Sequence, residues 1–344
     1  MNSKSTVVVT GAAGFIGGYV VQEALEQGFY VIGVDNLSKY GEETRAFSRN
    51  PNYKLVIGDA QDSRFLKPIF AEANHIIAGA AMIGGISYFH TYAYDLLATN
   101  ERIMAATCDA AIEAYKFGRL KKVTYLSSSM VYESTEKWPS SEGDELEIPP
   151  PLSSYGFQKL AVEFFARAAW DQYKLPYTIL RPFNCVGIGE RRAIGDVEIK
   201  SGDVSLAMSH VVPDLVQKIL KGQNPVQILG DGNQLRCYTY GGDLARGIIK
   251  SLENPNSKNN DFNLSTAETT SVLQLAEIIW KKIYGDKTRF AYEKVPGFPY
   301  DVKKRIPDVT KAKKLLDFEA TTSLDEMLDE VIPWIKSAIA NNHI

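Results

Sequence analysis

The sequence predicts an α/β fold, built on a doubly wound parallel sheet with a smaller mixed α/β lobe beside it. Apolar strand-like runs alternate with helical patterns through the first half of the chain, which is typical of such a sheet. A glycine-rich turn separates the first strand from the first helix. The 344 residues, 45% of them apolar, are too many for one small core.

Strands and helices follow one another in an order that predicts the topology. Helical patterns over 19–27, 95–117 and 155–173 separate several of the strand-like runs. Because a helix that joins two parallel strands crosses over the sheet, this alternation favours helices on both faces. The strand-like runs end at Val9, Val34, Gly58, Ala80, Ser127 and Phe183.

The regular alternation ends after Asn184. We interpret the polar, glycine-containing segment 187–205 as an irregular segment on the substrate side, followed by a helix that begins near His210. That segment carries Glu190, Arg191, Arg192 and Lys200.

The rest of the chain is predicted to complete both lobes. A strand-like run over 236–240, a helix from Gly242 and a strand over 262–265 should return to the main sheet. Helices over 271–284, 310–316 and 323–341 should close the smaller lobe. The predicted dinucleotide-binding lobe comprises 1–184 with 237–266, and the predicted substrate lobe comprises 185–236 with 267–344.

The composition argues against several classes of partner. The 38 basic and 41 acidic residues are spread along the chain and give a formal charge of −3, so neither nucleic acid nor a membrane surface is expected to bind. The N-terminus enters the first strand without the apolar core of a signal peptide, which predicts a cytoplasmic protein. The widely separated Cys108, Cys185 and Cys237 predict buried free thiols, with neither a disulfide framework nor a metal site.

The turn at Gly11, Gly14 and Gly17 has the spacing of a dinucleotide site. The first glycine permits the tight turn, the second lets a pyrophosphate approach the backbone, and the third lets the helix pack closely. The helix N-terminus then offers N–H groups and a positive dipole end to phosphate. A second apolar strand ends at Asp35, whose carboxylate can accept ribose hydroxyls and would repel a 2′-phosphate, so NAD is favoured over NADP.

Groups that suit proton transfer follow a later strand. Ser127 to Ser129 come at the carboxyl end of that strand, where open α/β sheets hold their ligands. Tyr155 and Lys159 stand four residues apart, on one face of a helix. A tyrosine has a pKa of about 10, and a cation within ~4–6 Å favours its phenolate, so Lys159 and a cationic nicotinamide predict Tyr155 as a base. Ser128 can hydrogen-bond the same substrate oxygen and pass on its proton.

A second tyrosine–lysine pair supplies a control. Tyr300 and Lys304 have the same spacing, but they lie between two prolines, with no helix evident and no serine-rich strand end to pair with. Tyrosine and lysine at this spacing usually form only a solvated surface pair. We therefore assign catalysis to the pair at Tyr155 and not to the pair at Tyr300.

These motifs together resemble the nucleotide-sugar epimerase/dehydratase family of extended short-chain dehydrogenases/reductases. The resemblance extends over nearly the whole chain and implies a Rossmann sheet, bound NAD, and a homodimer that pairs through helices such as 95–117 and 155–173. Thr310 stands where the family commonly has serine. The matching motifs are Thr10-Gly-Ala-Ala-Gly-Phe-Ile-Gly17, Asp35-Asn-Leu, Gly58-Asp59, Ser127-Ser-Ser, Tyr155-x-x-x-Lys159, Arg181-Pro-Phe-Asn184 and Asp308-Val-Thr-Lys-Ala-Lys-Lys-Leu-Leu.

The resemblance also implies roles for individual residues. Asp59 would contact the adenine, Asn184 the nucleotide side of the substrate, and two arginines its diphosphate, which planar guanidinium donors match. The implied catalytic set is Ser128, Tyr155 and Lys159. The implied substrate site is Asn184, Arg236, Tyr238 and Arg305. The implied cofactor site is Gly11, Gly14, Phe15, Ile16, Gly17, Asp35, Asn36, Asp59, Ala60, Tyr155 and Lys159.

The residues after Ser128 favour one reaction within this family. Dehydratases of the family typically carry Asp-Glu directly after the catalytic serine or threonine, and decarboxylases keep a glutamate just before a Val-Tyr pair. Ser129 and Met130 occupy these positions here. The expected activity is therefore inversion of carbon 4 of a UDP-sugar through a transient 4-keto sugar, with NAD regenerated in every cycle.

Three other hypotheses stay open. The run 80–86 resembles the glycine-rich loop of GDP-mannose 3,5-epimerases, and the segment 187–205 is longer than simple 4-epimerases usually carry, although Met130 replaces the cysteine expected in a 3,5-epimerase. A nucleotide-sugar 4,6-dehydratase is the second alternative. A non-catalytic NAD-binding sensor or scaffold is the third, and such a protein would be expected to lose Tyr155 or Lys159, both of which this chain retains.

Overall fold

Seven parallel strands form the central sheet of the protein, whose computed structural model describes residues 5–42, 44–83, 91–190, 199–201, 204–206, 210–297 and 302–341. The strands are β1 (Thr6–Thr10), β2 (Tyr30–Asp35), β3 (Tyr53–Ile57), β4 (His75–Ala78), β5 (Lys122–Leu126), β6 (Tyr177–Pro182) and β13 (Asn260–Leu264). Their order across the sheet is β13-β6-β5-β4-β1-β2-β3. The direction of winding reverses between β1 and β4, which is where open sheets bind ligands. This order confirms the predicted doubly wound parallel sheet.

Helices cover both faces of this sheet. Because successive side chains of a strand point to opposite faces, Val8 packs in one apolar cluster while Val7 and Val9 pack in the other. The cluster around Val8 includes α2 (Ser63–Phe70), α3 (Ala93–Phe117) and α4 (Ser154–Tyr173), and the cluster around Val7 includes α1 (Phe15–Glu26), α6 (Gly241–Glu253) and α8 (Thr310–Leu316).

A third apolar cluster lies at the centre of the smaller lobe. It joins α5 (Val211–Leu220), α7 (Val272–Tyr284) and α9 (Leu324–Ala340) to β10 (Val226–Leu229). The residue ranges assigned to the two lobes from the sequence remain a prediction. Short strands complete this part: β7 (Cys185–Val186) pairs with β12 (Thr239–Tyr240), β11 (Leu235–Arg236) lies between β14 (Thr270–Ser271) and β16 (Lys304–Arg305), β10 pairs with β15 (Tyr292–Val295), and β8 (Ile199–Ser201) pairs with β9 (Val204–Leu206).

Three elements differ from the sequence prediction. The run 236–240 does not return to the main sheet: it divides between β11 and β12, because β13 already pairs with β6 at that edge while Tyr238 packs in the smaller lobe. The helix over 310–316, which we assigned to the smaller lobe, packs on the main sheet. The first helix begins at Phe15 and not at Tyr19, since the glycines that weaken its helical pattern lie inside it.

The composition-based predictions concern the cysteines and the membrane. Cys108 and Cys237 are buried, Cys185 is partly buried, and all three are free thiols. Within the part of the chain that the structure describes, no helix is both long and apolar enough to cross a bilayer.

A buried histidine makes stability depend on pH. Burial, with the charges of Lys122 and Lys121, lowers the pKa of His75 to about 4. An unfolded histidine titrates near 6.5, so the stability that neutral His75 contributes is complete above that pH and is lost as the pH falls through 4. We expect His75 to cost roughly 2 kcal/mol of unfolding free energy between about pH 7 and pH 5. Urea unfolding of the wild type and His75→Gln at both pH values measures this, and an equal loss in both proteins would contradict it.

Candidate active site

The turn between β1 and α1 requires glycine at two positions. Gly11 has φ +77°, in the left-handed region, and its N–H donates to the Val34 carbonyl over 2.8 Å. A Cβ atom on Gly17 would lie 1.9 Å from the Gly11 carbonyl oxygen, so only glycine lets the helix begin this close to the strand. The turn thereby brings the N-terminus of α1, at Phe15, to the cleft that it lines.

Acidic and amide side chains follow β2 and β3 at the same edge of the sheet. One Asp35 carboxylate oxygen accepts the Ala13 N–H over 3.0 Å, and the other accepts the Leu37 N–H over 2.8 Å. Asn36 accepts the Ser38 N–H over 3.0 Å. The Asp59 carboxylate accepts the backbone N–H and the side-chain amide of Gln61 at 2.9 and 3.0 Å. Each carboxylate is therefore held in place and keeps lone pairs for a ligand. Asp35, Asn36, Asp59 and Ala60 all line the cleft.

The residues of this edge fit a dinucleotide. The cleft has a volume of about 760 Å³ and is continuous from the glycine turn to the arginines of the smaller lobe. Gly14 is the N-cap residue of α1 and has no side chain to cap the first turn, which suits a pyrophosphate as the partner of its N–H groups. The Asp35 carboxylate lies at the end of the next strand, as ribose hydroxyls require.

Ser128, Tyr155 and Lys159 meet at the cleft between the end of β5 and the start of α4. Ser128 Oγ accepts the Met130 N–H over 3.2 Å and is hydrogen-bonded to Tyr155. Lys159 Nζ donates to the Leu126 carbonyl over 2.9 Å and lies 5.9 Å from the centroid of the Tyr155 ring. The predicted trio is thus brought together, and its catalytic role stays a prediction.

The electrostatics of this trio suit Tyr155 as a base that acts only when NAD is bound. Burial raises the pKa of Tyr155, while the Ser128 hydrogen bond and the positive charge of Arg305 oppose that rise. Burial lowers the pKa of Lys159 to about 8. Since burial dominates at Tyr155, a phenolate there needs further positive charge, which a bound nicotinamide ring carries.

The predicted diphosphate ligands lie side by side. The parallel pairing of β11 with β16 sets Arg236 opposite Arg305, and both residues line the cleft. Arg236 donates from Nη1 to the carbonyls of Leu235 and Lys303 at 2.9 and 3.4 Å. A diphosphate has the charge and the oxygen atoms to bind two guanidinium groups at once.

Asn184 and Tyr238 complete the predicted substrate site. Asn184 has φ 35°, its side-chain amide donates to the Cys237 carbonyl over 3.1 Å, and its own carbonyl accepts the Thr239 N–H over 3.1 Å. Tyr238 is buried among the apolar residues of the smaller lobe. Both residues line the cleft, where the pairing of β7 with β12 brings them together.

Several residues singled out in the sequence lie outside the described residues. These include Tyr300 of the control pair; its partner Lys304 belongs to a two-residue strand and places its amine 4.9 Å from the centroid of the Trp138 ring. Lys200 lies in β8. Of the segment 187–205, Glu190 is buried at the cleft and pairs with His210. Residues 84–86 of the glycine-rich loop and both Arg191 and Arg192 are outside the described ranges.

The sequence prediction missed residues that line the cleft or support its wall. Asn100, buried in α3, accepts the Met82 N–H over 2.7 Å and donates to the Met82 carbonyl over 2.9 Å, which fixes one wall. A buried asparagine within an amphipathic helix is the signal that could have found it. Arg45 contacts the glycine turn, and His210 pairs with Glu190. Nothing in the local sequence pattern distinguishes these two residues from surface side chains.

The sheet and its glycine turn define an NAD-binding enzyme of the short-chain dehydrogenase/reductase class. Residues 7–265 match the model of the NAD dependent epimerase/dehydratase family, so the chain belongs to this family. NAD is therefore its cofactor. The protein is an NAD-dependent nucleotide-sugar epimerase or a related enzyme.

Several named relatives align with nearly the whole length of this chain. The Thermotoga maritima UDP-glucose 4-epimerase, solved with UDP-glucose, is 30% identical, with a TM-score of 0.78 over 97% of this chain and 99% of that one. The Bacillus cereus UDP-glucuronic acid 4-epimerase, solved with UDP-glucuronic acid and NAD, is 25% identical, with a TM-score of 0.77 over 96% and 99%. The UDP-glucuronate 4-epimerase of Thermodesulfobacterium geofontis is 28% identical over 96% of both chains. Other relatives are named as decarboxylases and reductases.

Proposed function

We propose that the protein is a 4-epimerase of a UDP-sugar. The observation that carries this proposal is the trio of Ser128, Tyr155 and Lys159 at a cleft where Ser129 and Met130 supply no second acid or base. Among the described residues that line the cleft, the carboxylates are Asp35 and Asp59 at the dinucleotide end, Glu190, which pairs with His210, and Asp214 on α5. The names of several relatives support UDP as the nucleotide.

In the proposed reaction the phenolate form of Tyr155 removes the proton of the sugar 4-hydroxyl. NAD held at the glycine turn and at Asp35 would supply a reversible hydride acceptor, so that the hydride of carbon 4 could return to the opposite face of the ring. Lys159 keeps positive charge beside the phenolate, and Ser128 donates a hydrogen bond to the same sugar oxygen. Arg236 and Arg305 hold the diphosphate, so the sugar can turn over while the nucleotide stays bound.

Loss of water would need a further residue. Removing a proton from carbon 5 and a hydroxyl from carbon 6 requires an acid and a base beside the 4-keto sugar. Met130 is buried next to Tyr155 and has no titratable group, and Ser129 is buried as well. Met130 also occupies the position of the glutamate that decarboxylases of the family keep, which argues against a decarboxylase. These observations favour a 4-epimerase over a 4,6-dehydratase.

A panel of UDP-, dTDP-, GDP- and CDP-sugars tests the proposal. The purified holoenzyme is incubated with each compound, and the products are analysed by NMR and mass spectrometry. A 4-epimer of unchanged mass from a UDP-sugar is the expected result. A product lighter by one water would establish a dehydratase, inversion at carbons 3 and 5 of a GDP-sugar would establish the 3,5-epimerase alternative, and no turnover with any compound would favour a sensor.

We further propose that two copies pair through α3 and α4. Phe157 and Phe164 on α4 are 47% and 55% exposed, and they border an apolar depression with Leu160, Ala161, Phe165 and Ala168. Apolar surface of this kind marks an interface.

We expect Phe164→Asp to shift the particle from a dimer to a single chain of 38.2 kDa, measured by light scattering. Tyr292→Asp, at an exposed site in the other lobe, should leave the dimer intact; a monomeric wild type would overturn this proposal.

A further inference from the structure

Arg45 reaches the dinucleotide turn from the connection between β2 and β3. Its Nη2 atom donates to the Ala13 carbonyl over 3.0 Å and to the Gly14 carbonyl over 3.1 Å. Both carbonyls belong to the glycine turn itself. Arg45 is not among the described residues that line the cleft.

Gly18 makes the space that this guanidinium occupies. A Cβ atom built on Gly18 would lie 1.8 Å from Arg45 Nη1, and the three nearest atoms to it all belong to Arg45. The backbone of Gly18 is helical, so its conformation does not require glycine. A glycine in the first turns of a helix weakens it, by roughly 1 kcal/mol relative to alanine. A side chain at position 18 would therefore require the Arg45 guanidinium to move from its place at the turn.

The positive charge of Arg45 lies at the N-terminal end of α1. A cation at a helix N-terminus opposes the positive end of the helix dipole. Here the guanidinium lies against the residues that begin α1. Tyr53 feels the same charge: burial raises the pKa of Tyr53 to about 12, Arg45 opposes the rise and Asp35 adds to it. A pyrophosphate bound at this helix end would bring negative charge, which the charge of Arg45 would attract.

We infer that Arg45 is a positioning residue for NAD, which holds the glycine turn by its two hydrogen bonds and retains the pyrophosphate by its charge. This inference needs the family's cofactor but does not depend on which sugar is turned over. An enzyme that regenerates its NAD within each cycle gains from slow loss of the cofactor. Arg45 would supply that retention through its charge and through its hold on the turn.

Binding of NAD to the cofactor-free protein, measured by calorimetry, tests the inference. We expect Arg45→Met to raise the Kd of NAD about tenfold at low salt, because one full charge near the pyrophosphate is lost. Arg45→Lys should recover part of the affinity. Gly18→Ala should weaken binding to a similar extent, because its new methyl group displaces the guanidinium, and the double variant should be no weaker than Arg45→Met alone. Arg49→Met, an exposed charge of the same segment, is the matched control and should bind within about twofold of the wild type.

Salt separates an electrostatic role from a merely structural one. At about 0.5 M salt the difference between the wild type and Arg45→Met should shrink, since the charge is screened. An equal loss of affinity at low and high salt would mean that Arg45 only supports the fold of the turn, and it would overturn the inference. Unchanged NAD affinity in Arg45→Met or in Gly18→Ala would do the same. The test measures NAD affinity and needs no epimerase assay. The inference about Arg45 can therefore hold even if the proposed reaction is wrong.

Discussion

Tyr155→Phe is expected to lower turnover about a thousandfold while NAD stays bound. The change removes only the hydroxyl that would take the sugar proton. The ring itself packs with Leu96 and Met130, and phenylalanine fills the same volume. The measurement is the rate of product formation by NMR, with the NAD content of the purified variant determined from the cofactor released on denaturation.

Tyr173→Phe is the matched control for this variant. Tyr173 is the last residue of the same helix, far along the chain from the cleft, and loses the same atom. Its turnover should equal that of the wild type. If Tyr155→Phe keeps its turnover as well, another group is the base; if it loses its NAD together with its activity, the hydroxyl serves cofactor binding instead.

The parts of this molecule that follow a short-range pattern could be predicted from the sequence. The buried strands β1 and β2 are continuous apolar runs, and Gly11 and Gly17 are glycines for steric reasons that any dinucleotide turn shares. Tyr155 and Lys159 are recognisable because one helical turn sets them on the same face. For these elements the determining contacts lie within a few residues of one another in the chain.

Contacts between distant segments could not be predicted in this way. The run 236–240 has the composition of a main-sheet strand, yet pairing partners elsewhere in the chain divide it into two short strands. Arg45 and Gly18 are 27 positions apart, and only the fold shows that a Cβ atom at position 18 would meet the arginine. Glu190 and His210 meet across a segment without a periodic pattern. Local pattern carries no information about such pairs.

Replacing either cleft arginine is expected to weaken substrate binding, but only one replacement should alter the pH profile. Arg236→Met and Arg305→Met should each raise KM for the UDP-sugar about tenfold to a hundredfold, because each removes a charge-assisted hydrogen bond to phosphate. The positive charge of Arg305 lowers the pKa of Tyr155. Its removal should therefore raise that pKa and move the acid limb of the kcat profile to higher pH, since Tyr155 must lose a proton to act as a base.

Comparing the two arginines separates binding from acid–base tuning, because they lie opposite each other on paired strands. A shift of the acid limb in Arg305→Met and none in Arg236→Met would assign the tuning to the arginine that acts on Tyr155. Lys304→Met, beside Arg305 on the same strand, loses a charge that lies over the Trp138 ring and should change neither KM nor the profile. Equal shifts in all three variants would show that Tyr155 responds to the total charge of the lobe. Unchanged KM values would place the diphosphate elsewhere in the cleft, and the UDP-sugar orientation proposed above would then be wrong.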